Sequence, residues 1–273
     1  MDLKEGTLKK RLDQILVDKG IYPSRTSAQG DILAGNIFVN GERMDKPGTM
    51  VKSDTEIRVA EKSKKYVSRG GTKLEKALAA FEIGLEDKVV IDVGASTGGF
   101  TDCVLKNKAR KVYSVDVGYG QLAWELRNDP RVIVMERTNA RNLKPEDLDE
   151  MVDFASVDVS FISLDKILKP VYDVLSEFGS CVCLIKPQFE AGREKVGKKG
   201  VVKSFDVHVE VIEKIIAFAR SLGFLDSGLT YSPIKGPEGN VEFLLHLKKS
   251  DSRDFKLSEE AIVNVVKKAH EAL

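Results

Sequence analysis

The sequence predicts an α/β protein built on a mostly parallel sheet with helices on both faces, preceded by a small α+β domain. Three observations carry this. From residue 88 onward, apolar strand-like runs alternate with helix-like stretches, the pattern of a parallel sheet crossed by helices. The last two apolar runs, around Phe224–Thr230 and Val241–Leu247, have no helix between them and are expected to pair as a hairpin, which makes the last strand antiparallel. Before residue 62 the elements are shorter and lead into a hairpin-turn dipeptide, a different texture.

The 273 residues exceed an average domain of roughly 100–200 residues, so two unequal domains are expected. The boundaries read as a small domain over 1–61, a linker over 62–71, a large domain over 72–250 and a C-terminal helix within 251–273. A content of 42% hydrophobic and 31% charged residues supplies a real core and rules out global disorder. No apolar run approaches the roughly 18–20 residues of a membrane span, and no leader is evident, which disfavours a membrane-spanning toxin. Three cysteines, Cys103, Cys181 and Cys183, offer no disulfide framework and fit a reducing, cytoplasmic setting. With 43 Lys+Arg against 42 Asp+Glu, only the distribution of charge is informative about partners.

In the small domain, Leu12, Ile15 and Leu16 share one helical face and Gly20 stops the helix. Ser24 caps a second helix after Pro23, with Ala28 and Ile32 inward and Gly35-Asn36 at its end. Ile37-Phe38-Val39 then runs into Asn40-Gly41, and further short strands are expected at Val51 and 56–59. The basic, polar stretch from Lys62 to Gly71 reads as the linker. Thr72 and Glu75 have capping-box spacing at the start of a helix that buries Leu74, Leu78 and Phe81. Strands follow at Val89–Val93, Val112–Val115, Val132–Met135, Phe154–Val159 and Cys181–Ile185. Helices occupy Phe100–Lys106, Gln121–Arg127, Leu164–Leu175 and Val207–Leu222, and an amphipathic helix follows Ser258. Cys181 and Cys183 share one strand face and read as core.

The most informative stretch is Val89-Val90-Ile91-Asp92-Val93-Gly94-Ala95-Ser96-Thr97-Gly98-Gly99-Phe100, a buried strand, a glycine-rich turn and a helix start. Glycines at the carboxyl end of such a strand let backbone approach a ligand without Cβ clashes. Neither a phosphate-binding Gly-Lys-Ser/Thr nor the dinucleotide Gly-x-Gly-x-x-Gly is present. Asp116, 22 positions after Gly94, ends the next strand, where an acid accepts hydrogen bonds from both hydroxyls of an adenosine ribose. Asp92 and a turn without the dinucleotide spacing favour S-adenosylmethionine, whose amino-acid end needs polar contacts rather than a pyrophosphate cradle.

At these residues the chain resembles the haemolysin-A-like (TlyA-type) family of ribosomal RNA 2′-O-methyltransferases. Val-Gly-Ala-Ser-Thr-Gly-Gly-Phe-Thr-Asp is similar to the cofactor motif of FtsJ-type ribose methyltransferases. Arg-Leu-Asp-Gln-Ile-Leu, Ser-Arg-Thr-Ser-Ala and Ile-Phe-Val-Asn-Gly resemble the RNA-binding module of the ribosomal small-subunit S-four protein. The resemblance covers about residues 8–248. It implies a Rossmann-like class I methyltransferase sheet and S-adenosyl-L-methionine as cofactor. The implied cofactor contacts are Asp92, Gly94, Ala95, Ser96, Gly98, Gly99, Phe100, Asp116, Val117 and Asp158. Asn139-Ala140 are candidates for the adenine, with a polar loop as the plainer reading.

The family's Lys-Asp-Lys-Glu tetrad has a matching place for each member. Lys73 lies at a helix start, Asp158 ends the fourth strand of the sheet, Lys186 ends the fifth and Glu242 lies on the last strand. Independently, ligands in open α/β sheets bind beyond the carboxyl ends of the strands, where Gly94, Asp116, Asp158 and Lys186 all fall. A lysine acts as a base only when burial or a neighbouring cation makes its amine available, and otherwise stabilises a developing oxyanion. Both roles stay open for Lys186, with Lys73 as the neighbouring cation and Asp158 and Glu242 positioning the amines.

Basic charge is local. Residues 186–203 hold six cations against two anions, and Arg193, Lys195, Lys198 and Lys199 are candidates for RNA phosphates. In the small domain Arg11, Lys19, Arg25 and Arg43 are the corresponding candidates. His208, His246 and His270 have no metal-ligand spacing, and no metal is expected. The partners implied are ribosomal RNA or ribosomal subunits, without a membrane. A base methyltransferase is disfavoured because Asp158-Val159-Ser160-Phe161 lacks the prolines of that class. A nicotinamide oxidoreductase is disfavoured by the glycine spacing. A non-catalytic ribosome-binding protein and a haemolysin-associated factor are the remaining alternatives.

Overall fold

The computed structural model describes residues 9–22, 24–33, 36–59, 65–249 and 257–273, and the chain divides into two compact units, Met1–Lys65 and Tyr66–Leu273. The expected Pro23 and Gly35 boundaries of the second helix, and residues 62–64 of the expected linker, lie outside the described residues.

The first unit runs β1 (Lys9–Arg11), α1 (Leu12–Asp18), α2 (Arg25–Leu33), β2 (Ile37–Val39), β3 (Glu42–Met44), β4 (Met50–Lys52) and β5 (Ile57–Val59). Leu12, Leu16, Ala28, Ile32, Ile37 and Val39 form its core, so the helix faces and the first strand close on one another. The β2–β3 turn places both Asn40 (φ 50°) and Gly41 (φ 84°) in the left-handed region, as a two-residue hairpin with matching twist requires. Strand β1 pairs with β4 although its Lys-Lys-Arg sequence carries no apolar signal.

The second unit comprises α3 (Gly70–Ala80), β6 (Val89–Val93), α4 (Gly99–Lys106), β7 (Lys111–Val115), α5 (Trp124–Arg127), β8 (Val132–Met135), β9 (Val152–Val157), α6 (Leu168–Val174), β10 (Leu175–Ile185), α7 (Pro187–Glu190), α8 (Phe205–Ser221), β11 (Phe224–Tyr231), β12 (Phe243–Lys249) and α9 (Glu259–Ala272). The seven-stranded sheet has the order β11-β12-β10-β9-β6-β7-β8, with β12 antiparallel to both neighbours and the other pairings parallel. Alternate residues of each central strand serve two separate cores, because side chains alternate across a strand. Val90, Val112, Phe154, Val182 and Leu244 pack with Leu74 and Leu78 of α3 and Val104 of α4. Ile91, Val115, Ala155, Cys181, Cys183 and Leu245 pack with Val171 of α6, Ile212 of α8 and Val266 of α9.

Several boundaries differ from expectation for identifiable reasons. Tyr66, expected in the linker, is buried against the same core as Leu74 and Phe100, and Val67 N donates to Asp102 Oδ2 at 2.8 Å. Helix α3 accordingly begins at Gly70, and Thr72 Oγ1 donates to Arg69 O rather than capping the helix. Only Trp124–Arg127 of the expected 121–127 helix is helical. Leu164–Lys166 forms a separate 3-10 turn before α6, and Leu175 opens β10. Helix α9 buries Ile262, Val266 and Ala269 in the main core, so it is part of the second unit. No described helix is long and apolar enough to cross a membrane.

Candidate active site

Parallel strands deliver their carboxyl ends to one edge of the sheet, and an antiparallel neighbour begins at that edge. This geometry gathers residues distant in sequence. Asp158 follows β9, its N–H donating to Val93 O at 2.9 Å. Lys186 follows β10 and precedes Pro187, the first residue of α7, where a missing N–H costs the helix nothing. The β10–β12 register sets Ile185 opposite Phe243, so Glu242 comes alongside Lys186. Glu242 therefore stands just before the last strand, not on it as expected. Lys73 reaches in from the first turn of α3.

All four residues line one cleft of about 840 Å³, with Gly94, Ala95, Ser96, Gly99 and Phe100. They form two ion pairs. Lys73 Nζ donates to Glu242 Oε2 at 2.6 Å, with Glu242 fully buried. Lys186 Nζ lies 2.6 Å from Asp158 Oδ1 and donates to Ser160 Oγ at 2.9 Å. Asp158 Oδ1 makes this ion contact without an assigned hydrogen bond, and Glu242 Oε1 is a buried carboxylate oxygen with no hydrogen-bond partner among the described residues. Burial raises the Glu242 pKa, Lys73 and Lys186 oppose that rise, and Asp158 adds to it. The pairs are thus electrostatically one group.

The glycine turn is shaped for close approach. Gly94 has φ 88°, and a Cβ there would sit 2.5 Å from the Asp158 carbonyl oxygen. Gly99 has no room for a Cβ because Ser68 Oγ would lie 2.2 Å and Gly71 N 2.9 Å away, and the Ser68–Gly70 segment lines one side of the cleft. Asp116 joins two loops: its Oδ2 accepts from Ser96 N and its Oδ1 from Gly118 N, both at 2.7 Å.

Several expected cofactor contacts lie elsewhere. Asp92 is fully buried beneath the turn, accepting from Thr101 Oγ1 at 2.7 Å and Ser156 Oγ at 2.9 Å, with a pKa that burial raises to about 6. It supports the turn and does not line the cleft. Gly98 caps α4 with φ 97°, and it packs against Leu126 and Leu122. Asn139 accepts from Arg141 N and Nε to cap a 3-10 turn, while Ala140 is core, which is the plainer reading of that loop. Val117 is 71% exposed beyond Asp116, and neither lines the cleft.

The basic candidates separate likewise. In the first unit, Arg11 and Arg25 converge on the buried Asp13, which also accepts from Gln29 Nε2 at 2.7 Å. The Arg11 hydrogen bonds hold the Asp13 carboxyl well below the usual range, and Arg25 with Gln29 ties α2 to α1 through the same carboxylate. Lys19 reaches Thr55 O and Arg43 is exposed. In the second unit Lys195 is paired with Glu210, whereas Arg193, Lys198 and Lys199 are exposed on the segment leading to Gly200 at the cleft. Sequence reasoning missed Arg69, Phe161, Phe189 and Asn240, all of which line the cleft. Phe161 is 90% exposed and packs on Phe189 with ring centroids 5.0 Å apart. Asn240 Nδ2 donates to Gly200 O and its Oδ1 accepts from Val202 N, fixing the end of the basic segment.

Residues 66–249 match the FtsJ-like methyltransferase family and residues 10–57 match the S4 domain. A candidate rRNA methyltransferase of Bacillus subtilis, YqxC, is 49% identical over 97% of this chain and 95% of its own length. The 16S/23S rRNA (cytidine-2′-O)-methyltransferase TlyA of Mycobacterium tuberculosis is 42% identical over 95% of this chain and 96% of its own. The solved structure of a candidate hemolysin from Streptococcus thermophilus superimposes with a TM-score of 0.78 at 46% identity, covering 98% of both chains. The chain belongs to the haemolysin A (TlyA-type) family of FtsJ-like methyltransferases that carry an N-terminal S4 domain.

Proposed function

We propose that the protein transfers a methyl group from S-adenosylmethionine to a ribose 2′-hydroxyl of ribosomal RNA. The observation that carries the reading is the convergence of the Lys73–Glu242 and Lys186–Asp158 pairs in one cleft beside the Gly94–Gly99 turn. The cleft volume lies within the roughly 300–1,000 Å³ of small-molecule sites. The buried Glu242 Oε1, which has no hydrogen-bond partner among the described residues, suits a ligand that brings positive charge and hydrogen-bond donors. S-adenosylmethionine fits that description, and bound there it would supply an electrophilic methyl group. The Gly94–Gly99 turn would take its amino-acid end, and the ribose would reach past the cleft lining to the remaining lone pairs of Asp116, which is bonded to Ser96 N of that turn.

The chain's own contribution is to place an oxygen nucleophile and manage its proton. Ser160 Oγ accepts an N–H of Lys186 and the Asp158 carboxylate pairs with its charge. Lys186 also lines the cleft, where its Nζ would either hold a proton against the developing alkoxide or, as the neutral amine, take the hydroxyl proton on its lone pair. Lys73 and Glu242 neutralise each other beside it, which keeps a dense charge cluster buried without a net excess. The exposed Phe161, packed on the half-buried Phe189, offers an aromatic face for an unstacked base at the cleft.

Ribosomal RNA as substrate rests on the S4 match, the exposed Arg193, Lys198 and Lys199, and the activities named for the relatives. A cytoplasmic location is part of the same proposal, because ribosomal RNA is met there. Lys186→Ala is expected to slow single-turnover transfer to ribosomal RNA by at least the roughly 10²–10⁴-fold of a general acid–base group, with cofactor affinity unchanged. Lys186→Arg keeps the charge but cannot release its proton, and is expected to be inactive if Nζ is the base. Near-native transfer by the Ala variant overturns the mechanism.

A further inference from the structure

Two cleft-lining segments, the loop after β9 with Asp158 and Ser160 and the start of α7 with Lys186 and Phe189, must hold a fixed separation for the Lys186–Asp158 pair to form. The first is a demanding conformation. It is pinned at one end by Asp158 N–H on Val93 O at 2.9 Å, then turns through Phe161, a bulky non-glycine residue at φ 62°. At the other end stands Glu190, which the reaction chemistry does not use and which nothing in the sequence pattern singled out. Its side chain is 6% exposed and holds the loop with both oxygens: Oε2 accepts from Ser163 Oγ at 2.6 Å and Oε1 from Leu164 N at 2.8 Å. Its own backbone is held from behind, with Lys214 Nζ of α8 donating to Glu190 O at 3.2 Å.

We propose that Glu190 is a positioning residue for methyl transfer, a clamp that fastens the Asp158 loop to the segment bearing Lys186. The inference rests on the reading of the cleft as the transfer site. Glu190 follows Lys186 by four residues, and Ser163 follows Asp158 by five, so the clamp closes a short circuit through the ion pair itself. Burial raises the Glu190 pKa while the Ser163 and Leu164 hydrogen bonds oppose the rise. A buried carboxyl with both oxygens engaged by one loop is costly to keep unless those bonds set the loop. Without it, the strained turn at Phe161 is free to relax, and Ser160 and Asp158 move away from Nζ.

The test compares Glu190→Ala, Glu190→Gln and Ser163→Ala in the full-length protein with ribosomal subunits as substrate. The readouts are single-turnover rate at saturating substrate, S-adenosylmethionine affinity by calorimetry, and thermal melting. Glu190→Ala is expected to lower the rate roughly 10–100-fold, the effect of displacing a reacting group by up to about 1 Å, with cofactor affinity changed less than twofold. Glu190→Gln keeps an acceptor for Leu164 N and gains a donor for Ser163 Oγ, and is expected to restore the rate to within about threefold of native. Ser163→Ala removes one bond and is expected to fall between, which keeps the test decisive if Glu190→Ala fails to fold. Native rates in Ser163→Ala and Glu190→Ala, or a Gln variant as slow as Ala, overturn the clamp. Absence of transfer by the native protein instead overturns the reading of the cleft, and the clamp with it.

Discussion

Gly94→Ala probes whether the glycine turn and the catalytic loop are mechanically one unit. The added Cβ would meet Asp158 O at 2.5 Å, the carbonyl carbon at 2.9 Å and Val159 Cα at 3.3 Å, all backbone atoms with no rotamer to escape into. Restoring ordinary contact at 3.4 Å requires about 0.9 Å of backbone movement at Asp158. The left-handed φ of 88° adds roughly 1–2 kcal/mol for a residue bearing a Cβ. Overpacking contributes about 1–3 kcal/mol more. The sum, about 2–5 kcal/mol, corresponds to a melting-temperature drop of roughly 5–15 °C for a domain of this size. A displacement near 1 Å at Asp158 also pulls on Lys186, and the expected loss in transfer rate is about 10²-fold. The assay is single-turnover methyl transfer with melting measured in parallel. Gly84→Ala is the control, because a Cβ at Gly84 meets nothing within 4 Å, and its rate is expected to stay native. A Gly94→Ala protein with native melting and native rate refutes the proposed coupling.

Two further predictions address the cofactor and the pH response. Asp116→Ala leaves Ser96 N and Gly118 N without their acceptor and removes the proposed ribose contact, so S-adenosylmethionine affinity should fall about 10–150-fold, equivalent to about 1.5–3 kcal/mol. Calorimetry returning native affinity for a folded variant contradicts the assignment. His246 is buried with its Nε2 unpartnered among the described residues, and burial lowers its pKa from 6.5 to about 4. A depressed histidine pKa means that the folded state resists protonation, so stability is lost as pH falls from about 6.5 toward 4, by up to roughly 3 kcal/mol. His208, also held near 4, acts with the same sign, while the raised Asp92 carboxyl, near 6, acts oppositely between about 4 and 6. His246→Leu should flatten the melting-temperature profile between pH 7 and 5, and an unchanged slope excludes His246 as a contributor.

The parallel sheet was legible because its strands are buried on both faces and read as apolar runs, such as Cys181–Ile185. Strand β1 was not, because a charged Lys-Lys-Arg edge strand is set by its partner β4 and not by its own composition. The tetrad positions were visible through motif resemblance, yet their pairing was not: Lys73 and Glu242 are 169 residues apart and meet only through the sheet register. Asp92 and Asn139, expected at the cofactor, are seen here to hold loops, Asp92 through Thr101 and Ser156 and Asn139 through Arg141. A polar residue beside a ligand loop and a polar residue that holds that loop look alike in sequence, and only burial and hydrogen-bond partners separate them. Glu190 escaped notice for the converse reason, since an acid in a basic segment reads as solvated charge until its two loop contacts are seen.

The proposed placement of methyl groups on ribose oxygens of ribosomal RNA is tested most directly by nucleoside mass spectrometry of ribosomal subunits incubated with S-adenosylmethionine and either the native protein or Lys186→Ala. A 2′-O-methylated nucleoside, stable to alkaline cleavage at its 3′ phosphate, is expected with native protein and none above background with Lys186→Ala. A methyl group found on a base, or equal ribose methylation by both proteins, would contradict it.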